Sequence, residues 1–347
     1  MSASMLQPDP LATSLTTLLG IRFPVIQAPI GSLSCPALAA AVSEAGGLGT
    51  LALSWDSPSR CSEKISETRA TTRAPFAINF VLEWDQTDRL NVCLDAGARI
   101  VSLFWGDPSR YISLAHQAGA ITMVTVGSCE EARKAVDAGA DVIVCQGFEA
   151  GGHVRGVTGS IALIPAVVDA VAPVPVVAAG GFADGRGLAA ALALGASGVS
   201  MGTRFVASIE SLAHPEFKKR LIRCQESDTQ YLCLFDGGWP NAPHRVLRNS
   251  TVDAWDKAGR PNSGMRPHEN QIIGRSQLGK EIRRYDDVPP VAGMSGEWEA
   301  CALYAGESAG IIRDIKSASS IVDDIARDAL KTIRSLASVN LDAGFAD

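Results

Sequence analysis

The chain has 347 residues, enough for one large domain or for a barrel of roughly 250 residues with an appendage. Hydrophobic residues make up 46% and charged ones 20%, with 33 glycines and few aromatics, which favours a packed enzyme with tight loops over a coiled coil or a disordered scaffold. The net charge is −6 and the longest basic run is Lys218-Lys219-Arg220, so no basic face is available to neutralise the phosphates of a nucleic-acid partner.

Residues 1–10 lack a cationic start followed by an apolar stretch, and no apolar window approaches the about 20 residues of a membrane span. Eight cysteines form no C-x-x-C pair, and several, such as Cys145 in Val142-Ile143-Val144-Cys145, lie in apolar runs where they pack as small hydrophobes. The expectation is a reduced, cytoplasmic protein. Residues 11–19 read as a short amphipathic helix suited to plugging the bottom of a barrel.

From Pro24 to Phe205 short β-branched runs alternate with Ala-rich helical stretches. Strands are expected at 25–30, 48–53, 76–82, 100–105, 121–126, 141–146, 174–179 and 198–204, nearly continuous in apolar residues, as parallel strands covered on both faces should be. Helices are expected at 36–45, 58–69, 87–96, 109–118, 128–138, 161–171 and 185–194, with another starting near Pro215. Ser128 with Glu131 forms a capping box, and Asp184 is an N-cap. Asp95-Ala96-Gly97-Ala98, Gln117-Ala118-Gly119-Ala120 and Asp137-Ala138-Gly139-Ala140 end three helices alike, each Gly free to take the left-handed C′ position. Eight strands in β/α alternation favour a (β/α)8 TIM barrel, an α/β fold, over a doubly wound open sheet.

After Cys224 the composition changes: residues 225–300 are rich in Gly, Pro, Asn, Arg and Trp and lack periodicity. So long a loop inside a compact domain reads as a small inserted lid or substrate subdomain. Helical pattern returns at 297–304 and 319–337, before a loose tail at 338–347. The expected division is a barrel over 1–224, a lid over 225–300, and C-terminal helices over 301–347 that pack back on the barrel.

In such barrels the site forms at the C-terminal strand ends, with phosphate after strands seven and eight. Strand seven ends in Ala178-Ala179-Gly180-Gly181 and strand eight in Met201-Gly202-Thr203, where backbone N–H groups and a hydroxyl can reach phosphate oxygens. The segment after strand six, Gln146-Gly147-Phe148-Glu149-Ala150-Gly151-Gly152-His153, puts one imidazole behind two glycines at the mouth, with an acid four residues upstream. An imidazole suits abstraction of an activated C–H proton, and the glycines permit close packing on a planar cofactor. The alternative is a loop histidine that bonds backbone carbonyls. His116, His214, His244 and His268 show no ligand spacing, so no metal is expected. Gly31-Ser32-Leu33-Ser34-Cys35 lacks the last Gly of a nucleophile elbow, which disfavours a serine hydrolase. Asp107, Asp236 and Glu297 read as solvated loop carboxylates.

Gln27-Ala28-Pro29-Ile30, Ala45-Gly46-Gly47-Leu48-Gly49, the Glu-Ala-Gly-Gly-His loop, Ala178-Ala179-Gly180-Gly181, Met201-Gly202-Thr203-Arg204-Phe205 and Asp236-Gly237-Gly238-Trp239-Pro240 occur in one order from about residue 15 to 335. Together they resemble the nitronate monooxygenase family, formerly the 2-nitropropane dioxygenases. The resemblance implies noncovalent FMN, with Ala28, Pro29 and Ile30 against the flavin and Asn79 bonding its ring. Gln146 and Gly151, with Gly152 beside it, fall at the isoalloxazine, and Gly180, Gly181, Met201, Gly202 and Thr203 at the phosphate. It also implies His153 as the catalytic base and a small-molecule substrate, an alkyl nitronate oxidised by O2 to a carbonyl compound and nitrite without nicotinamide. Two features depart from related FMN barrels. Strands three to five carry no Lys near the flavin, and Val154-Arg155-Gly156 replaces the Pro-Gly that follows the histidine in NAD(P)H:quinone reductases. The alternatives on the same barrel are an FMN-dependent quinone or enoyl-thioester reductase and, without flavin, a sugar-phosphate isomerase or lyase. Arg155 is a further candidate, for an anionic substrate group.

Overall fold

The computed structural model describes residues 10–338. The first nine residues, and the expected tail beyond Ser338, lie outside them.

Eight parallel strands form the frame: β1 (Val25–Gln27), β2 (Gly49–Ala52), β3 (Phe76–Val81), β4 (Ile100–Phe104), β5 (Ile121–Val126), β6 (Val142–Gln146), β7 (Val176–Ala179) and β8 (Gly198–Met201). Each pairs with its neighbours in chain order and β8 pairs with β1. The ring closes through an Ile26–Leu48 bridge, where Gln27 N donates to Leu48 O at 2.9 Å and Leu48 N to Val25 O at 2.9 Å. Closure leaves no open edge, which settles the choice between barrel and open sheet.

Alternation along the strands sorts the side chains. Ile26, Ala77, Ile100, Met123, Val144 and Val177 gather in an inner cluster with Leu15 and Leu19 from the helix Ser14–Leu19, which plugs the bottom as expected. Two residues further up a strand, on the same face, come Asn79 and Gln146, so the period of two carries the inward row to the mouth. The opposite face packs on seven helices: α1 (Pro36–Glu44), α2 (Pro58–Thr71), α3 (Thr87–Asp95), α4 (Ser109–Gln117), α5 (Cys129–Asp137), α6 (Ser160–Val171) and α7 (Gly185–Ala193). Gly97, Gly119 and Gly139 take φ of 88°, 70° and 100°, the left-handed stop read from the sequence. Asp184 caps α7 by accepting from Arg186 N and Gly187 N. Half of the expected box at α5 forms: Ser128 Oγ accepts from Glu131 N, but the Glu131 carboxylate turns to Gly127 N.

The eighth helix is displaced in sequence. After β8 the short helix Thr203–Val206 turns the chain away, and only α8 (Ala318–Ala337) fills the gap between α7 and α1. A Cβ on Gly185 would lie 2.3 Å from Ala329 N, so α7 and α8 touch backbone to backbone there. On the other side Ser319 Oγ donates to Ala41 O at 3.1 Å. The excursion between them leaves and returns side by side, with Ile209 N donating to Lys316 O, and Arg204 clasps Asp314 across the neck at 2.9 Å.

Residues 225–300 are more ordered than their composition suggests. Thr229–Leu232 and His244–Leu247 form an antiparallel pair, Ser250–Lys257 is a helix, and Ile272–Arg275, Glu281–Arg283 and Ser295–Gly296 form a second small sheet. Several expectations change, the first strand ending at Gln27 rather than Ile30 among them. The helix at 297–304 shrinks to a 3-10 turn at Trp298–Ala300, because Asn249 Nδ2 and Thr251 Oγ1 take the carbonyls of Glu299, Cys301 and Ala300 that a helix would use. Strand seven starts at Val176, after Pro175, which has no N–H for the ladder. Strand eight ends at Met201, since Phe205 N and Val206 N fold back onto Gly202 O. Asp236 and Glu297 are not free: they pair with Arg266 at 2.7 Å and Arg284 at 3.1 Å, while Asp107 holds Ser109 Oγ.

Candidate functional site

The C-terminal strand ends open into a cavity of about 510 Å³, within the range of small-molecule and cofactor pockets. The structure brings Ala28, Pro29, Ile30, Asn79, Gln146, Gly151, Gly152, His153, Gly180, Gly181, Gly202 and Thr203 together around it. Met201 stays apart: its side chain is buried in the packing between strands and helices, and only its carbonyl acts nearby, accepting from Ala28 N.

One side of the cavity is backbone. Gly180 and Gly181 take φ of 90° and 85°, a reversal that a side chain would strain, so the main chain itself lines the wall. Thr203 Oγ1 accepts from Gly306 N at 3.0 Å, which leaves its hydroxyl proton free to donate. The 305–306 turn also presses on the histidine loop, where a Cβ on Gly151 would lie 2.2 Å from Gly306 N. Gln146 Nε2 donates to His153 O at 3.1 Å, while its Oε1 is buried without a partner. A glycine cradle, a donor hydroxyl and an unmatched amide acceptor on one cavity fit a flavin mononucleotide, whose phosphate needs donors and whose ring carries an N–H.

The other side is aromatic and comes from the excursion. His153 sits on a two-residue strand, Gly152–His153, that pairs antiparallel with His244–Leu247. Val154 N donates to Pro243 O, and Tyr231 Oη to Val154 O, so the backbone here is held on three sides. The imidazole stacks on Trp239 at 4.0 Å between ring centres, with Trp105 and Tyr304 around it. Trp105 holds φ of 62°, a strained left-handed backbone for a bulky residue. His153 does not cap carbonyls: Nε2 is buried with no hydrogen bond, and Asp287 Oδ1 lies 3.9 Å from it. Asp287 in turn accepts a hydrogen bond from the Tyr304 hydroxyl.

Burial controls the ionisation of all three groups. It pushes the His153 imidazole down to about 3, helped by the neighbouring His244. It pushes the Asp287 carboxyl up to about 7, against the Tyr304 hydrogen bond, and raises Tyr304 well above the ordinary phenol range. At neutral pH His153 is therefore an unprotonated imidazole, in the form that can take up a proton.

Other sequence candidates have structural roles. Glu149 does not reach His153; its carboxylate accepts from Ser160 N at 2.9 Å and Ser160 Oγ, capping α6. His244 is satisfied on both nitrogens, with Nδ1 on Ala242 O and Nε2 accepting from Phe235 N. Arg155 lies outside the cavity, paired with Glu131 at 2.8 Å and stacked over Trp105. Sequence reasoning missed Asp287 and Tyr304 and gave Trp239 no role beyond its motif. Asp236-Gly237-Gly238-Trp239-Pro240 carried a signal for the last, whereas Asp287 and Tyr304 stand in no pattern. Among the described residues no helix is long and apolar enough to cross a membrane.

The whole frame has known counterparts. The family model for nitronate monooxygenase matches residues 12–89 and 81–328. A 5-hydroxy-7a-methyl-1-oxo-octahydro-1H-indene-4-carboxyl-CoA dehydrogenase of Mycobacterium tuberculosis is 33% identical over 95% of this chain and 99% of its own. The solved structure of FabK from Thermotoga maritima is 34% identical with a TM-score of 0.81, covering 95% of this chain and 99% of that one. A nitroalkane oxidase from Streptomyces ansochromogenes is 28% identical with a TM-score of 0.73, over 93% and 99%. With a closed eight-strand barrel, a glycine cradle and a mouth histidine already in place, the match over nearly the whole chain makes this protein an oxidoreductase of the nitronate monooxygenase family, a family of flavoenzymes.

Proposed function

We propose that the chain binds FMN in this cavity and oxidises alkyl nitronates with O2 to a carbonyl compound and nitrite, and that His153 lets it also use the parent nitroalkanes. The observation that carries the reading is His153, an imidazole left uncharged by burial, on the wall of the same cavity as the glycine cradle. FMN, when bound, supplies the two-electron chemistry and the reaction with O2.

The protein's own residues do the rest. Gly180, Gly181, Gly202 and the Thr203 hydroxyl would hold the phosphate, Ala28, Pro29 and Ile30 would support the ring, and Gln146 Oε1 and Asn79 would meet its polar edge. His153 would take the α-proton of a neutral nitroalkane, leaving the nitronate and an imidazolium that attracts it. Trp239 and Trp105 exclude water from that exchange and fix the imidazole plane. In this reading the barrel domain, of which residues 10–224 are described, binds FMN, 225–300 is the lid that shapes the substrate pocket, and the described residues 301–338 are the return to the barrel.

A second reading, oxidoreduction of an acyl thioester, has its own support in the full-length similarity to the carboxyl-CoA dehydrogenase and in the exposed Lys280 ammonium at the cavity wall. One experiment separates the two. The FMN-loaded protein is given propionate 3-nitronate in air, and oxygen uptake and nitrite are recorded without NAD(P)H; both should rise together. Absence of turnover, with rapid anaerobic bleaching of the flavin by NADH or by an acyl-CoA, would transfer the assignment to the thioester reading.

A further inference from the structure

Proton transfer at a carbon acid needs a base with one ring nitrogen open and the other held. His153 has the asymmetry for this. Nε2 is sealed from solvent and faces Asp287 at 3.9 Å, whereas Nδ1 is unbonded and is not sealed. The two side chains come from different parts of the chain, His153 from the loop after β6 and Asp287 from the far end of the excursion. Both line the cavity, and each side chain is only 11% exposed. The carboxyl is aimed by Tyr304, whose hydroxyl donates to the same Oδ1 that faces the imidazole. Asp286, which borders the pair in sequence, turns its carboxylate back onto Arg283 N, and His244 is closed by its own two hydrogen bonds. Lys280 and the Lys64–Asp56 ion pair, joined at 2.6 Å, line the same cavity. None of them satisfies Nε2.

We propose that Asp287, aimed by Tyr304, is the positioning residue of His153: across a gap of 3.9 Å that a small closure turns into a hydrogen bond, it sets which ring nitrogen carries the proton and supports the imidazolium once a substrate proton arrives at Nδ1. The inference rests on the function proposed above for the chemical step, but not for the tautomer.

The protons balance in two states. With Asp287 protonated, its O–H donates to Nε2, and His153 carries its single proton on Nδ1, the nitrogen that should be free. When Asp287 loses its proton to solvent, the ring proton moves to Nε2 and is accepted by the carboxylate, and Nδ1 becomes a free acceptor. Uptake of the substrate proton at Nδ1 then gives an imidazolium beside a carboxylate, with the electron pair left on the substrate carbon. Burial raises the Asp287 carboxyl to about 7, so the switch to the working state falls as the pH rises through neutrality.

The test uses FMN-loaded protein labelled with ¹⁵N-histidine, with His153 assigned by its loss in His153→Asn. Its ring shifts should change from the Nδ1–H to the Nε2–H pattern between about pH 6 and 8, and Asp287→Asn should abolish the change. In turnover of a neutral nitroalkane, Asp287→Asn should lower kcat by roughly 10²-fold with little effect on KM and remove the rise near neutral pH, and it should lower oxidation of preformed nitronate by a smaller factor, since that reaction needs no base. Asp287→Glu, which retains the carboxyl, should recover part of the rate. Tyr304→Phe removes the hydrogen bond that favours the carboxylate, so it should move the tautomer change to higher pH. One unchanging tautomer from pH 5 to 9 in the native protein, or an Asp287→Asn profile identical to native, would overturn the inference. If Asp287→Asn does not fold, the Tyr304→Phe shift decides. A tautomer change without nitronate turnover would uphold Asp287 and defeat the nitronate reading instead.

Discussion

The barrel and the excursion between Val206 and Ala318 contribute to the same cavity by different means. The barrel offers main chain: glycine turns at Gly180, Gly181 and Gly202, and short inward side chains such as Asn79 at strand ends. The excursion offers large side chains, Trp239, Asp287 and Tyr304, and an extra strand that clamps His153. In the proposed reading the barrel side serves a ligand that does not vary, FMN, held through its phosphate and ring edges. In the same reading the aromatic side meets the substrate, and it can change without disturbing the frame. The contrast teaches that main-chain and side-chain walls of one cavity come from separate parts of the fold, and that His153, on a barrel loop clamped by the excursion, joins them.

The largest effect is expected at that joint. His153→Asn should cut turnover of neutral nitroalkanes by roughly 10²–10⁴-fold, with a smaller loss on preformed nitronate, because only the former needs a base. FMN affinity should be unchanged. Equal rates on the two substrates in native and variant protein would take the base role from His153 and break the division.

Trp239→Ala tests whether the excursion stands as its own packing unit. Trp239 is 2% exposed, stacks on His153 and meets Trp105 edge to face, so its loss should cost about 3–5 kcal/mol, read as a fall in denaturation midpoint. Hydrogen exchange sharpens the result. Protection should drop over 229–247 and 301–306 and hold in β3 to β6. Uniform loss across the barrel strands would show that frame and excursion unfold as one.

How legible each region was follows from the same contrast. Barrel strands and helices came within a few residues of their true limits because burial on two faces leaves continuous apolar runs, and because Gly97, Gly119 and Gly139 mark the helix ends. The cradle was legible because a strand order fixes which loops meet at the mouth. Asp287 and Tyr304 were not, since a carboxylate before Val288-Pro289 and a tyrosine closing an apolar run resemble ordinary loop residues until a tertiary contact joins them. Glu149 misled for the opposite reason: it is close to His153 in sequence, yet the chain turns it toward Ser160. The displaced α8 was read as a helix, but nothing in its pattern said that it completes the ring.

A smaller effect concerns stability. The Asp287 carboxyl is held near 7 in the folded protein, against about 3.9 when unfolded. Below about pH 4 both states keep the proton. As the pH rises toward 7 the unfolded state ionises first, so the native protein loses stability across that window and stays at the lower level above it. Asparagine has no proton to lose and still accepts from Tyr304. Asp287→Asn should therefore match native protein at pH 4 and exceed it at pH 8, by up to about 4 kcal/mol. Equal stability at both would mean that the carboxyl is hydrated rather than held in the aromatic wall.

The smallest effect is expected at Arg155, which the sequence offered as an anion site. Its guanidinium already has a carboxylate partner, Glu131 at 2.8 Å, lies over Trp105, and faces a neighbouring pocket rather than the cavity. The ion pair is about two-fifths exposed on the arginine side, so it contributes at most about 1 kcal/mol. Arg155→Ala should leave the KM for an anionic nitronate within about twofold, because an attraction already spent on Glu131 adds nothing to a ligand on the far side of Trp105. A tenfold rise in KM, reversed by Arg155→Lys, would put the substrate's charged end on the Trp105 side and extend the substrate half of the cavity beyond the aromatic wall.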